Sequence, residues 1–487
     1  MTAVNPVAGA ILLLTASAVV GLLALIHIRT RGRVDGLNLR LFIVLNFLLA
    51  NVVSGFAHVL GWSKDRGFYE VLSGDPVGST SGLTTAAWAT FLASCALWAG
   101  LVVPRPRLFP ARDDSREVPR RPLAPENLYS FAAAHRVSVG GLALVLAAAG
   151  GVGLIRVMGA TTDQTGGRII SVDGGNARYA FLAGWLPWAV TLLVLAFAAR
   201  RRATGQAVWN TLLLVGGLAA LAVSATWNGG RAEIAYVAFP LLAIMLPRIS
   251  ILRWPLIVAG AVAMVVFVVA TTSQRVGATT DPWSFIDWQW GRFSMSAWAS
   301  NHTALHGETI WSALINVPLA LLHLGGVSVD NPFRSMVQVS GYDLLGGEDQ
   351  IYVVPGFSAE MLLNFGLVGV VAGYFLLGIF SAVVSDAYSR SRSETNRVLL
   401  ATVGSTLVFQ GIVGQLESFE VFVTLSILPL WALWVAERLF ARPCDLGQPL
   451  EPGPAASSAP GSPGGQCGPN GTSGATALGG ARAPARL

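Results

Sequence analysis

Apolar residues recur along this chain in runs long enough to cross a bilayer, separated by shorter polar stretches that carry arginine. A hydrocarbon core of about 30 Å takes roughly 20 apolar helical residues to cross. By that measure the pattern predicts helical spans at approximately 7–28, 41–60, 85–103, 137–155, 179–199, 207–226, 232–247, 255–272, 361–385, 398–416 and 419–440, about eleven in all. The 232–247 run is short, and Pro240 interrupts it. The first run has no basic residues before it and Arg29, Arg31 and Arg33 after it, the pattern of a retained span and not of a cleaved signal.

The placement of arginine orients these spans. Arg29 to Arg40, Arg105 to Arg136, Arg200 to Arg202, Arg248 and Arg253, Arg390 to Arg397, and Arg438 with Arg442 all fall on one side if the N-terminus is outside and the C-terminus cytoplasmic. The run Thr309–Leu324 tests the scheme. It is apolar but short and contains Pro318, and a crossing there would move the Arg390–Arg397 loop outside. It therefore reads as an interfacial or re-entrant helix within a long outer loop, about 273–359. Trp283, Trp288, Trp290, Trp298 and Trp311 crowd that loop, as aromatic side chains do at a headgroup boundary. Residues 1–442 form one transmembrane helical domain in this reading. The Gly-, Pro-, Ser- and Ala-rich stretch 443–487 cannot bury enough surface to offset its ordering entropy and is expected to be a disordered cytoplasmic tail.

Composition agrees. Of 487 residues 53% are hydrophobic and 12% charged, against about 25% charged in soluble domains, and mean hydropathy is +0.59. These values argue against a soluble enzyme, a nucleic-acid binder and a disordered chain. The pI of 9.6 reflects loop arginine, so no nucleic-acid partner is implied. Cys95, Cys444 and Cys467 form neither a disulfide framework nor a metal cluster. No Gly-rich nucleotide loop stands out, and no cofactor is expected.

Candidate chemistry lies on the outer face. Trp227-Asn228-Gly229-Gly230-Arg231 is a tight turn that sets Arg231 at a helix N-terminus. A guanidinium there can hold a diphosphate through paired hydrogen bonds, or it can simply snorkel from a helix end. Arg275 closes the eighth span, with Arg292 further along, and Glu360 opens the ninth. Glu360 suits a helix N-terminal cap as well as a functional carboxylate. Arg231, Arg275 and Glu360 share one depth at the outer boundary, where buried charge usually marks a site. Two cations and an acid beneath a long loop suit an anionic lipid headgroup. His302, His306 and Glu308 form a polar cluster without an evident third metal ligand. Asp343, Glu348 and Asp349 read as solvated loop acids, and Gly366, Gly369, Gly373 and Gly378 as helix-packing residues.

Three stretches carry a family resemblance. ATWNGGRAEI, HGETIWSALINVP and PGFSAEMLLNFGLVGVVAGYFLLGIF resemble segments of the O-antigen/oligosaccharide repeat-unit polymerases of the Wzy type, which are similar to GT-C membrane glycosyltransferases. The resemblance covers about 225–385, a third of the chain. A basic residue expected after Pro318 is Leu319 here. It implies a polysaccharide-biosynthesis enzyme of the cell envelope, in the cytoplasmic membrane. Such an enzyme transfers a growing glycan from undecaprenyl diphosphate to a second lipid-linked oligosaccharide, alongside other polysaccharide export or assembly proteins. Under it, Arg231, Arg275 and Arg292 hold the diphosphate, and Glu360 is the first candidate base, with Glu308 and His302 behind it. A transporter or flippase for a lipid-linked or anionic substrate is the alternative. It would require mid-membrane polar groups and broken helices. A non-catalytic envelope scaffold is the third reading.

Overall fold

A computed structural model describes residues 5–31, 38–62, 80–103, 136–160, 291–301, 304–321, 355–390, 394–414 and 427–440. It also describes short pieces at 164–165, 168–169, 338–340 and 350–352 and a few positions within 182–193 and 416–423. Its helices are α1 (Pro6–Arg31), α2 (Leu39–Phe47), α3 (Ser54–Val59), α4 (Thr80–Val102), α5 (Arg136–Ala160), α6 (Phe293–Ala299), α7 (Glu308–Leu321), α8 (Phe357–Arg390), α9 (Glu394–Phe409) and α10 (Leu428–Phe440). Two short antiparallel strand pairs join β1 (Gln164–Thr165) to β2 (Arg168–Ile169) and β3 (Gln338–Ser340) to β4 (Gln350–Tyr352).

Five helical stretches among the described residues are long and apolar enough to cross a membrane: Pro6–Arg29, Leu39–Val59, Gly82–Val102, Ser138–Arg156 and Phe357–Ser389. They coincide with five of the spans read from the sequence. In α1 and α5, Leu12, Leu22, Leu144 and Ile155 point outward. Apolar side chains displayed all round a helix fit a hydrocarbon solvent, and the chain is a helical membrane protein. The core is built where α4, α1 and α8 meet around Leu14, Ala86, Ala93, Leu97, Val370 and Tyr374. Small residues set the closest approach. A Cβ on Gly378 would lie 2.6 Å from Leu97 O and 3.0 Å from Gly100 Cα, so these two helices touch backbone to backbone.

Three interruptions place polar groups at membrane depth. First, the span Leu39–Val59 starts on Asn38, whose side chain accepts from Leu41 N, but it passes through a π-helical turn at Leu48–Val53. Second, α8 is a hairpin and not a rod. At Gly366 the backbone has φ +64° and ψ −155°, which only glycine adopts readily. The rings of Phe357 and Tyr374 are 5.3 Å apart; in a straight helix they would be separated by ~26 Å. Residues 357–365 thus fold back along 367–390, and a Cβ on Gly369 would meet Met361 O at 2.6 Å. The sequence reading had Glu360 opening a span at 361–385. Instead Glu360 sits on the short arm, and the crossing begins after Gly366. Gly366 is accordingly a turn residue and not a packing residue. Third, α9 stops at Phe409 and gives way to turns at 410–414, where a span to 416 was expected. The helix α10 lies within the span expected at 419–440.

Arg40 and Asp386 are paired at one end of this assembly. From there, Asn51 lies ~17 Å along its helix and Tyr374 ~18 Å along α8, at 1.5 Å per residue. Against a core of about 30 Å, both are close to the middle.

The run expected to be interfacial or re-entrant forms α7, with its polarity reversed relative to a soluble helix. Thr309 and Ser312 are buried, while Trp311, Leu314 and Ile315 are 65%, 47% and 42% exposed. Polar groups inward and apolar groups outward are what a helix in contact with lipid requires. Trp298, expected at the headgroup boundary, is in the core instead. Trp283, Trp288 and Trp290 lie outside the described residues, as do the spans 207–226, 232–247 and 255–272 and the tail 443–487.

Candidate functional site

The short arm of α8 carries Glu360 in its first turn, where Glu360 N donates to Gly356 O at 3.1 Å. Because the arm folds back against the crossing arm, Glu360 is drawn into the protein and is only 2% exposed. Its carboxylate joins three segments remote in sequence. Thr309 Oγ1, on the first turn of α7, donates to Oε1 at 3.0 Å. Leu416 N, beyond the end of α9, donates to Oε2 at 2.8 Å. Asn364, one turn further along the arm, donates from Nδ2 to Thr309 Oγ1 and to Glu360 O, each at 2.8 Å. Its Oδ1 accepts from Gly307 N at 2.9 Å. His306 and Gly307 bend the chain towards this contact with φ of +47° and +90°. Leu305 N then donates to Leu363 O at 2.9 Å, so the entry to α7 is fastened to the hairpin near its tip.

Arg292 precedes α6 and is 7% exposed. Its backbone N donates to Ala50 O, within the π turn, at 2.8 Å. Its Nε donates to Val413 O at 2.8 Å and its Nη1 to Gly291 O at 2.6 Å. A guanidinium beyond the C-terminal end of α9 offsets the negative end of that helix and satisfies a carbonyl that the broken helix leaves without an intrahelical donor. Phe357 N donates to Ile412 O in the same turn at 3.2 Å. Beside it, Ser358 Oγ donates to Asn51 Oδ1 at 3.0 Å and lies 2.5 Å from Tyr374 OH. Arg292 and Phe357 therefore engage the turn at 411–414 and Glu360 the nearby Leu416 N, and Asn51, Ser358 and Tyr374 extend the polar core to the span Leu39–Val59.

Of the residues singled out from sequence, the structure brings Glu360 and Arg292 into one buried polar core. Glu308 begins α7 and is exposed, as is His306. Arg231, Arg275 and His302 lie outside the described residues, as do Asp343, Glu348 and Asp349. Thr309, Asn364, Asn51, Ser358 and Tyr374 were not anticipated. Two of them had a readable signal: Asn364 is one helical turn from Glu360 and so shares its face, and Asn51 is a polar residue near the middle of an apolar span. Among the described residues no three His, Cys, Asp or Glu side chains gather closely enough to hold a metal ion.

The fold and this site define a helical membrane protein with a carboxylate and a guanidinium held at membrane depth by broken helices. Comparison with protein-family models, with curated proteins and with solved structures returns no match.

Proposed function

We propose that this chain is a glycan polymerase of the cytoplasmic membrane, extending lipid-linked oligosaccharides at the outer face. The observation that carries the reading is the buried, oriented carboxylate of Glu360 on a re-entrant arm, beside a segment anchored by Arg292. It joins the resemblance of 225–385 to repeat-unit polymerases. In this reading the chain has about eleven spans, with its N-terminus outside and its C-terminus cytoplasmic. The donor is a glycan on polyprenyl diphosphate and the acceptor a sugar hydroxyl on a second such lipid. The acceptor oxygen attacks the anomeric carbon, the bond from that carbon to the diphosphate breaks, and Glu360 takes the hydroxyl proton. Arg231 and Arg275 stabilise the charge growing on the departing diphosphate. Arg292, whose Nε and Nη1 donate to backbone carbonyls, holds the site's backbone in place. A carboxylate offers about four acceptor positions, so bonds from Thr309 and Leu416 orient Glu360 and still allow it to act as a base.

The test is polymerisation of lipid-linked repeats by the purified protein in vesicles, comparing Arg231→Ala, Arg275→Ala and Glu360→Gln at matched expression. Loss of chain extension in all three is expected; full activity in all three rejects the assignment. One observation favours a second reading, a transporter or lipid flippase: the broken helices near mid-membrane are a feature of such proteins. Substrate accumulation in proteoliposomes with no change in glycan length would select it.

A further inference from the structure

We propose that Thr309 and Asn364 are positioning residues for the Glu360 carboxylate, so that α7 supplies part of the site and is more than a cover over it. The proposal rests on Glu360 being the base, as above. Its argument is one of hydrogen-bond direction. Gly307 N–H can only donate, so the Asn364 amide must present Oδ1 to it, at 2.9 Å. That choice turns Nδ2 towards Thr309 Oγ1, at 2.8 Å. A threonine hydroxyl has one proton. With its oxygen accepting from Asn364, that proton is directed to Glu360 Oε1, at 3.0 Å. Leu416 N–H fixes the other oxygen, at 2.8 Å. Every bond runs the same way, from the backbone of the turn at Gly307 through an amide and a hydroxyl to the carboxylate.

Thr309 and Asn364 are each 1% exposed, so water does not substitute for either. Thr309 is also the point at which α7, otherwise turned apolar side outward, reaches the carboxylate of another helix. Removing its hydroxyl takes one partner from Asn364 Nδ2 and one from Glu360 Oε1 and loosens the orientation of the carboxylate. Such a change affects the reacting geometry more than the capture of substrate.

The experiment uses the full-length protein in vesicles with lipid-linked repeats, measuring initial rates against acceptor concentration. The variants are Thr309→Val, Thr309→Ser, Thr309→Cys and Asn364→Leu, with Glu360→Gln for reference and Trp311→Ala on the opposite face of α7 as control. We expect Thr309→Val to lower kcat about 10- to 100-fold with KM within about twofold, a share of what a general base contributes. Thr309→Ser should restore kcat to within about threefold. Asn364→Leu should resemble Thr309→Val, and the two together should be no worse than the more severe single change, because they act through one chain. If Thr309→Val fails to fold, Thr309→Cys decides: it keeps a similar size with a weak donor, and wild-type kcat in that variant overturns the proposal. So does wild-type kcat in Thr309→Val, or a loss that serine does not restore, while Glu360→Gln is inactive. Full activity of Glu360→Gln overturns the assignment of the base and, with it, this proposal.

Discussion

Replacing Gly366 by alanine separates the hairpin from a continuous span by the sign of its effect. Were 357–390 one straight helix, Gly366 would be an interior helical glycine, and Gly366→Ala would stabilise the protein by ~0.5–1 kcal/mol. In the hairpin, Gly366 has φ +64° and ψ −155°, and no heavy atom lies within 4 Å of where a Cβ would stand. The cost of alanine is then conformational alone, ~1–3 kcal/mol. Asparagine does not relieve it, because asparagine tolerates the left-handed helical well near ψ +47° and not ψ −155°. Reversible unfolding in mixed detergent micelles measures the difference: both variants should lower the unfolding free energy, alanine by ~1–3 kcal/mol and asparagine by a similar amount. A more stable Gly366→Ala protein would refute the hairpin. Cysteines at Phe357 and Tyr374 give an independent check. A short-arm bifunctional thiol reagent should join them in the folded protein, and an absence of intramolecular product would refute the fold-back as well.

Two further outcomes follow from the same geometry. Arg292→Met retains much of the side-chain volume but withdraws the donors to Val413 O and Gly291 O, which at ~1–3 kcal/mol for each acceptor left unsatisfied predicts a loss of ~2–6 kcal/mol in the same unfolding measurement; a change below ~0.5 kcal/mol would mean that those bonds do not hold the turn at 411–414. A nitroxide attached at Leu314→Cys should be relaxed more by oxygen, which concentrates in hydrocarbon, than by a water-soluble nickel complex, and the reverse ranking would put the outer face of α7 in water.

Hydropathy made the membrane helices legible, because lipid demands long apolar runs whatever the tertiary fold. Spans at 7–28, 41–60, 85–103 and 137–155 correspond closely to α1, α2 with α3, α4 and α5. What composition hides is where a helix stops inside an apolar run. Met361 to Leu377 is apolar, with only Asn364, Tyr374 and small residues between, so hydropathy passes through Gly366 without a break, and the reversal depends on one backbone conformation. The end of α9 is similar. Gly411 and Gly414 are ordinary in a membrane helix, and the break becomes intelligible only once Arg292 and Phe357, from elsewhere in the chain, are seen to bond the released carbonyls. Glu360 was legible as a charge near the membrane boundary. Thr309 was not, because a threonine beginning an apolar run looks like a helix start, and its partnership with Asn364 arises only from the fold-back.

The connectivity of this polar core also bears on the choice between chemistry and transport. The π turn, the start of α6, the short arm of α8 and the turn after α9 are cross-bonded at one depth through Ala50 O, Arg292, Phe357 N, Ile412 O, Ser358 and Asn51. Sliding any one of these against the others would leave several donors or acceptors without partners where no water replaces them, at ~1–3 kcal/mol for each. Alternating access through this region would need a substrate whose differential binding to the two states covers that whole sum, or else a motion that carries all four segments together. A site that reacts in place needs neither. Groups held rigid before the substrate arrives are what stabilise a developing charge without reorganisation. In the proposed polymerase reading, the density of bonds around Glu360 and Arg292 suits a fixed reaction centre past which the two lipid-linked substrates would move.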